Sequence, residues 1–354
     1  MPRRFYQRFK ASQTINIPAG GRALTTIDMH TGGEPLRIIT GGYPQVAADS
    51  LLDYRQQLQI HHDWLRTSMM FEPRGHADMY GCLILPPFDP TADCSVILMH
   101  NEGYSTMCGH AVIAIMTLAA KMGWVDTDRD GRSTLLIEAP CGLIHASGQQ
   151  TDETLVASFE CVDSFVAELD ARVYLPSLGR EISYDLAYGG AFYAYVDADQ
   201  IGLDLTPQNT QALIALGREI KACVTEQSTK IVHPVQDALS FLYGTIFTSD
   251  AATDHVDSRN VCIFADGEVD RSPTGSGVSG RMAIEHARGR IRIGEQRVIE
   301  SIIGSQFRCH VARTSRCGPH AAVIPEVSGQ AFLIGSSRFL IDPADPLATG
   351  FLLR

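Results

Sequence analysis

Residues 94–123 read CSVILMH-NEGYSTM-CGH-AVIAIMTLAAKMG, and residues 259–289 read RNVCIFA-DGEVDRSP-TGS-GVSGRMAIEHARG. Each stretch is a β-branched strand run, a polar loop, a Cys or Thr followed by Gly and a polar residue, and then a small-residue or apolar helical run ending at Gly. Cys108 and Thr274 occupy the same place in the two stretches, which makes an approximate internal duplication of the chain. Two such units related by a pseudo-twofold axis point two helix N-termini into one cleft.

Around this pair strand signals dominate: TLLIEA (134–139), TLVASFECV (154–162), AFYAYVDA (191–198), SFLYGTIFTS (240–249), RVIESIIG (297–304) and AFLIGS (331–336). Helical signals are fewer, at 108–122, from Thr206-Pro207 to about Cys223, and at 275–288. Strands and helices do not alternate regularly, so an α+β architecture is expected over a doubly wound parallel sheet.

The length of 354 residues suggests two domains, with a core large enough to need no disulfide or metal. Apolar residues make up 45% without a run of membrane-spanning length, so the expectation is a soluble globular chain that does not enter a membrane. Forty acidic against 29 basic residues give a net charge of −11, which repels phosphate backbones and makes a small molecule a better partner than nucleic acid. Nine cysteines are spread singly with no C-x-x-C pair, as in a reducing compartment. The first 23 residues lack a secretory apolar segment but carry Arg3, Arg4, Arg8 and Lys10. They read as a short basic extension on a cytoplasmic protein, with an organellar presequence as the other reading.

A helix start presents unpaired N–H groups and partial positive charge, and two facing starts suit a carboxylate. Cys108 lies where the dipole is expected to lower a thiol pKa, which singles it out as base or nucleophile. The other eight cysteines read as small buried hydrophobes. Gly275-Ser276-Gly277-Val278-Ser279-Gly280 matches a dinucleotide fingerprint, with Glu300 at the right distance, but eight residues including Pro273 separate the preceding strand from its first Gly. A Cys108/His110 hydrolase pair is not expected, because residues two apart on a helix point in different directions. His61, His62 and Asp63, and Cys141 with His145, form no repeated metal-ligand set. DMHTGGEP (28–35) and FEPRGHADMYG (71–81) read, taken alone, as tight polar surface loops.

Taken in order, Asp28-Met29-His30-Thr31-Gly32-Gly33-Glu34-Pro35, Glu72-Pro73-Arg74-Gly75-His76, Met107-Cys108-Gly109-His110, Asp270-Arg271-Ser272-Pro273 and Pro325-Glu326-Val327-Ser328-Gly329 resemble the proline racemase family from about Asp28 to the C-terminus. The resemblance implies a diaminopimelate-epimerase-like α+β fold: two pseudo-symmetric α/β halves, each a curved sheet around a central helix, with the active site between them. The expected limits are 1–23 for the extension, 24–180 for the half carrying Cys108, 181–340 for the half carrying Thr274, and 341–354 for a segment returning to the first half. The resemblance also implies no metal and no organic cofactor, and a homodimer is the expected assembly. Racemases and epimerases of the family place one cysteine in each half; here the second position is Thr274, whose hydroxyl is too weak an acid or base to replace a thiol. That residue resembles the branch that dehydrates trans-3-hydroxy-L-proline. On the same resemblance, Cys108 is the base, Asp270 binds the ring nitrogen, His110 helps to position the substrate, and the backbone near Gly109, His110, Gly275 and Ser276 holds its carboxylate. A proline racemase or hydroxyproline 2-epimerase, and a non-catalytic binder of proline analogues, are the other readings.

Overall fold

A computed structural model describes residues 3–11, 15–151, 154–250 and 255–353. In the first half the strand Cys94–His100 leads through a polar loop into the helix Gly109–Lys121, and the chain returns in Arg132–Ala139, which pairs parallel to Cys94–His100. The second half repeats this: Ser258–Phe264, a polar loop, the helix Gly275–Ala287, and Arg297–Glu300 parallel to Ser258–Phe264. The duplication read from the sequence is therefore a repeated strand–helix–strand crossover, and antiparallel strands extend each copy into a closed barrel.

Each barrel surrounds its helix. Residues Gly109 to Ala119 of the first helix are all buried, which explains why its sequence is apolar all round and carries no polar stripe. The second helix is packed the same way at its start, with Gly275 to Gly280 buried. Gly277 and Gly280 leave room for Ile246 and Tyr195, whose atoms lie 2.3 Å from where their Cβ atoms would stand. The glycine pattern that mimics a dinucleotide fingerprint thus serves helix-to-sheet packing.

One closing strand crosses between the barrels. Ser164–Leu175 opens the second barrel, pairing antiparallel with Arg180–Tyr188, while Ala331–Ile341 returns to pair with Arg22–Thr31. A division that follows the pairing puts 22–160 with 331–341 in one barrel and 164–329 in the other. The limits expected from sequence, at 180 and 340, fall after each crossing, because local strand signals carry no information on which distant edge a strand joins. The C-terminal segment lies against the first half, where Phe351 and Glu72 exchange backbone hydrogen bonds of 2.9 and 3.1 Å. Of the N-terminal extension, residues 1, 2 and 12–14 lie outside the described residues, and Arg3–Ala11 is helical. Among the described residues no helix is long and apolar enough to cross a membrane.

DMHTGGEP is not a surface loop. It is a hairpin joining Arg22–Thr31 to Glu34–Gly41 across Gly32 and Gly33, both at positive φ as such a turn requires. Its tip reaches the other half, where a Cβ on Gly33 would stand 2.5 Å from Ile303. The tip carries Glu34, fully buried, whose Oε2 accepts the Arg271 N–H at 2.7 Å. From FEPRGHADMYG, Asp78 pairs with the Arg271 guanidinium at 2.7 Å and accepts the Val269 N–H at 3.1 Å. The two motifs together grip the segment that bears Asp270.

Candidate active site

Gly109 and Gly275 begin the two central helices and face each other. A Cβ on either would lie 2.6–2.7 Å from the Cα of the other, so only glycine permits this approach at both positions. The N–H groups of Gly109, His110, Gly275 and Ser276 thereby open toward one small cavity without intrahelical partners. Cys108, Asp270 and Thr274 line it as well, together with Met107, Tyr80, Tyr193, Tyr243 and Phe264. All seven residues named from the sequence thus meet in one place. The aromatic wall was not foreseen; its nearest signal is the alternation in AFYAYVDA, which puts Tyr193 and Tyr195 on one face of a strand.

The two caps differ. Cys108 is extended, at φ −149°, and its Sγ accepts the Ala111 N–H at 3.4 Å. Thr274 sits at φ 69°, a conformation unfavourable for a β-branched residue. It is held there by its own N–H on Ser272 Oγ at 3.1 Å and its C=O on the Val278 N–H at 2.7 Å. Its Oγ1 is buried without a hydrogen-bond partner among the described residues.

Two expectations about Cys108 need correcting. Its Sγ lies 3.0 Å from His110 Nδ1. As the cap, Cys108 stands outside the helix proper and folds back over the first turn, so the rule for residues two apart within a helix does not apply. Burial also pushes the thiol well above its usual range; the Ala111 N–H opposes this but does not overcome it, and the Asp270 charge adds to the rise. The helix start alone does not make a thiolate at this buried position. Burial likewise lowers His110 to about 3, so its imidazole is neutral.

Asp270 is buried, and desolvation raises its carboxyl to about 6 against the lowering effect of the polar groups of Ser272 and Thr274 beside it. Its Oδ1 accepts the Ser272 N–H at 2.7 Å. Tyr193 shares a 2.8 Å hydrogen bond with Ser276 Oγ, and the Tyr80 ring stands edge-on to His110 with centroids 4.8 Å apart. A larger cleft of about 730 Å³ opens at the other end of the second central helix, but it is rimmed by exposed, solvated carboxylates such as Asp197, Asp199 and Asp250 and contains no cysteine. Among the described residues no group of three His, Cys, Asp or Glu side chains is arranged to hold a metal ion.

Two pseudo-symmetric barrels closed around facing helix starts define the diaminopimelate-epimerase-like class of fold. The family model described as proline racemase matches residues 26–352, and the chain belongs to that family. It is 46% identical to a trans-3-hydroxy-L-proline dehydratase of Colwellia psychrerythraea, over 94% of this chain and 93% of that one. It is 43% identical to a protein of Burkholderia multivorans named 3-hydroxyproline 2-epimerase, over 94% of this chain and 99% of the other. Among solved structures it is similar to a hydroxyproline epimerase from Agrobacterium vitis with bound trans-4-OH-L-proline, with TM-score 0.86 and 33% identity, covering 94% of this chain and 96% of that one.

Proposed function

We propose that this chain is a hydro-lyase that dehydrates trans-3-hydroxy-L-proline to Δ1-pyrroline-2-carboxylate. The observation that carries the reading is the unequal pair of caps in one cavity: a thiol at Cys108 and, at the equivalent place, the hydroxyl of Thr274. The relative from Colwellia psychrerythraea supports the substrate. One thiol gives acid–base chemistry on one face only, and in trans-3-hydroxyproline the Cα hydrogen and the 3-hydroxyl share a face.

The substrate carboxylate sits on the N–H groups of Gly109, His110, Gly275 and Ser276, where paired helix starts also stabilise the enolate-like form. Asp270 receives the ring ammonium, and His110 packs beside the bound ring. Arrival of that cation near Cys108 offsets the burial that favours the neutral thiol, and the thiol proton is relayed away through His110 Nδ1, 3.0 Å from the sulfur. The Cys108 thiolate then removes the Cα proton. Its electron pair forms the C2=C3 double bond as the C3–O bond breaks, and the new thiol returns the proton to the departing oxygen as water. The enamine tautomerises to the pyrroline. No step in this scheme draws on a metal or an organic cofactor.

We further place the protein in the cytoplasm, supported by nine free cysteines, and infer a homodimer, supported by Phe332, Leu333 and Ile334, which lie exposed on the strand Ala331–Ile341. Incubation with proline and hydroxyproline isomers, read as pyrroline carboxylate formed and as chirality of the remaining substrate, tests the activity. Pyrroline from trans-3-hydroxy-L-proline without inversion of other isomers is expected. Inversion at C2 without pyrroline would install the epimerase reading, and binding of pyrrole-2-carboxylate without turnover would make the chain a binding protein.

A further inference from the structure

Three tyrosines line the cavity, and two have their hydroxyls committed: Tyr193 to Ser276 Oγ at 2.8 Å, and Tyr80 to Ser105 Oγ. The third, Tyr243, is buried, and among the described residues no hydrogen bond of ordinary length satisfies its hydroxyl; the polar side chain that faces it is Tyr80, already committed to Ser105. Its ring is fixed on three sides by Tyr193, Phe264 and His100, with centroids 5.8, 5.5 and 5.6 Å away, so the hydroxyl has little freedom to find a partner elsewhere. Buried hydroxyls are ordinarily satisfied, and one left open on a binding cavity marks where a polar ligand atom belongs.

Thr274 Oγ1 is also unpartnered in this cavity, so the two hydroxyls must be told apart. Thr274 neighbours Asp270 and Cys262 and caps the second central helix, where Cys108 caps the first. Tyr243 neighbours Tyr80, Glu268 and Cys108. If the substrate lies as in the proposed dehydration, on which this inference rests, its 3-hydroxyl is on the Cys108 face. We propose that the Tyr243 hydroxyl donates a hydrogen bond to the 3-hydroxyl of the substrate, and so selects for a 3-hydroxylated ring and steadies the oxygen as the C3–O bond breaks. Tyr243 keeps its own proton: burial makes its phenol a weaker acid than usual, and the proton that completes water comes from Cys108.

Tyr243→Phe retains the ring and removes only the hydroxyl. In this variant kcat/KM for trans-3-hydroxy-L-proline is expected to fall at least tenfold, the loss of one hydrogen bond in a desolvated site. The Kd for pyrrole-2-carboxylate, which has no ring hydroxyl, is expected to stay within twofold. Dehydration within threefold of the parent, or an equal loss in both measurements, would overturn the assignment, the second because it marks general damage to the cavity. Absence of dehydration by the parent protein would instead overturn the proposed reaction, and this inference with it.

Discussion

Gly109 and Gly275 lie against each other at the starts of the two central helices, although 166 residues separate them in the chain. Their contact decides how far apart the two sets of N–H groups stand, and therefore whether one carboxylate can engage both. The alanine variants test this. Gly109→Ala or Gly275→Ala is expected to push the helix starts apart, cost about 1–3 kcal/mol of stability from overpacking, and lower affinity for pyrrole-2-carboxylate at least tenfold. Thermal melting read beside ligand titration separates the two effects. An alanine variant that binds like the parent would remove the paired helix starts from the carboxylate site.

Cys108→Ser replaces the one thiol that lines the cavity among the described residues with a hydroxyl. Dehydration is expected to drop by a factor of roughly a thousand or more, with pyrrole-2-carboxylate affinity retained, because the backbone donors are untouched. Iodoacetamide is expected to inactivate the parent slowly, since Cys108 is only 5% exposed, and the same ligand to protect it. Turnover near the parent level in the serine variant would show that the base lies elsewhere.

Asp270 carries a pH signature. Its carboxyl stands at about 6 in the folded protein, above its ordinary value, so the folded state holds the proton more tightly than the unfolded chain. Stability contributed at low pH is therefore lost as pH rises from about 4 to 6, and is not regained above it. For catalysis the sign is reversed: kcat/KM is expected to rise through about pH 6 as Asp270 ionises to receive the ammonium. Asp270→Asn, which keeps an oxygen to accept the Ser272 N–H, is expected to lose at least tenfold in kcat/KM and to melt at a higher temperature than the parent at pH 7.5. A lower melting temperature would make Asp270 chiefly an organiser of its turn.

Thr274→Cys places an acid opposite Cys108 and removes a β-branch from a residue at φ 69°. Detectable racemisation of L-proline, or 2-epimerisation of 4-hydroxyproline, is expected where the parent has neither, together with a small gain in melting temperature. The gain in activity is expected to be modest, because the backbone at 274 does not mirror the extended Cys108 and aims a side chain differently. Chiral chromatography of the products decides; racemisation by the parent at a rate comparable to its dehydration would refute the single-thiol scheme.

Much of this architecture can be read before any coordinates, and the exceptions have physical causes. The helices Gly109–Lys121 and Gly275–Ala287 announce themselves through apolar or small-residue runs bounded by cap residues and glycines. The helices Leu51–His61 and Asp63–Met70 do not, since the first buries only Leu51, Tyr54 and Leu58 and the second buries polar Arg66 and Ser68 beside its apolar residues; the one local hint is Ser50 capping the Asp53 N–H at 3.1 Å. Cys108 stands out by position, but its protonation is set by burial that only the closed barrels create. Tyr80, Tyr193 and Tyr243 reach the cavity from three different strands, and no sequence spacing relates them.

The returning strand Ala331–Ile341 bears on how the chain is made. Arg22–Thr31 emerges early from the ribosome, yet its partner Ala331–Ile341 lies roughly 300 residues later. At about 5–20 residues per second, that is some 15 to 60 s during which the first barrel has an unpaired edge. The second barrel is contiguous in the chain, but its first strand, Ser164–Leu175, meets its second partner only in His320–Gly329, so it too stays open until nearly the last strand is made. Vectorial synthesis therefore leaves both barrels, and the cavity that holds the reactive thiol, to be completed together by the final strands.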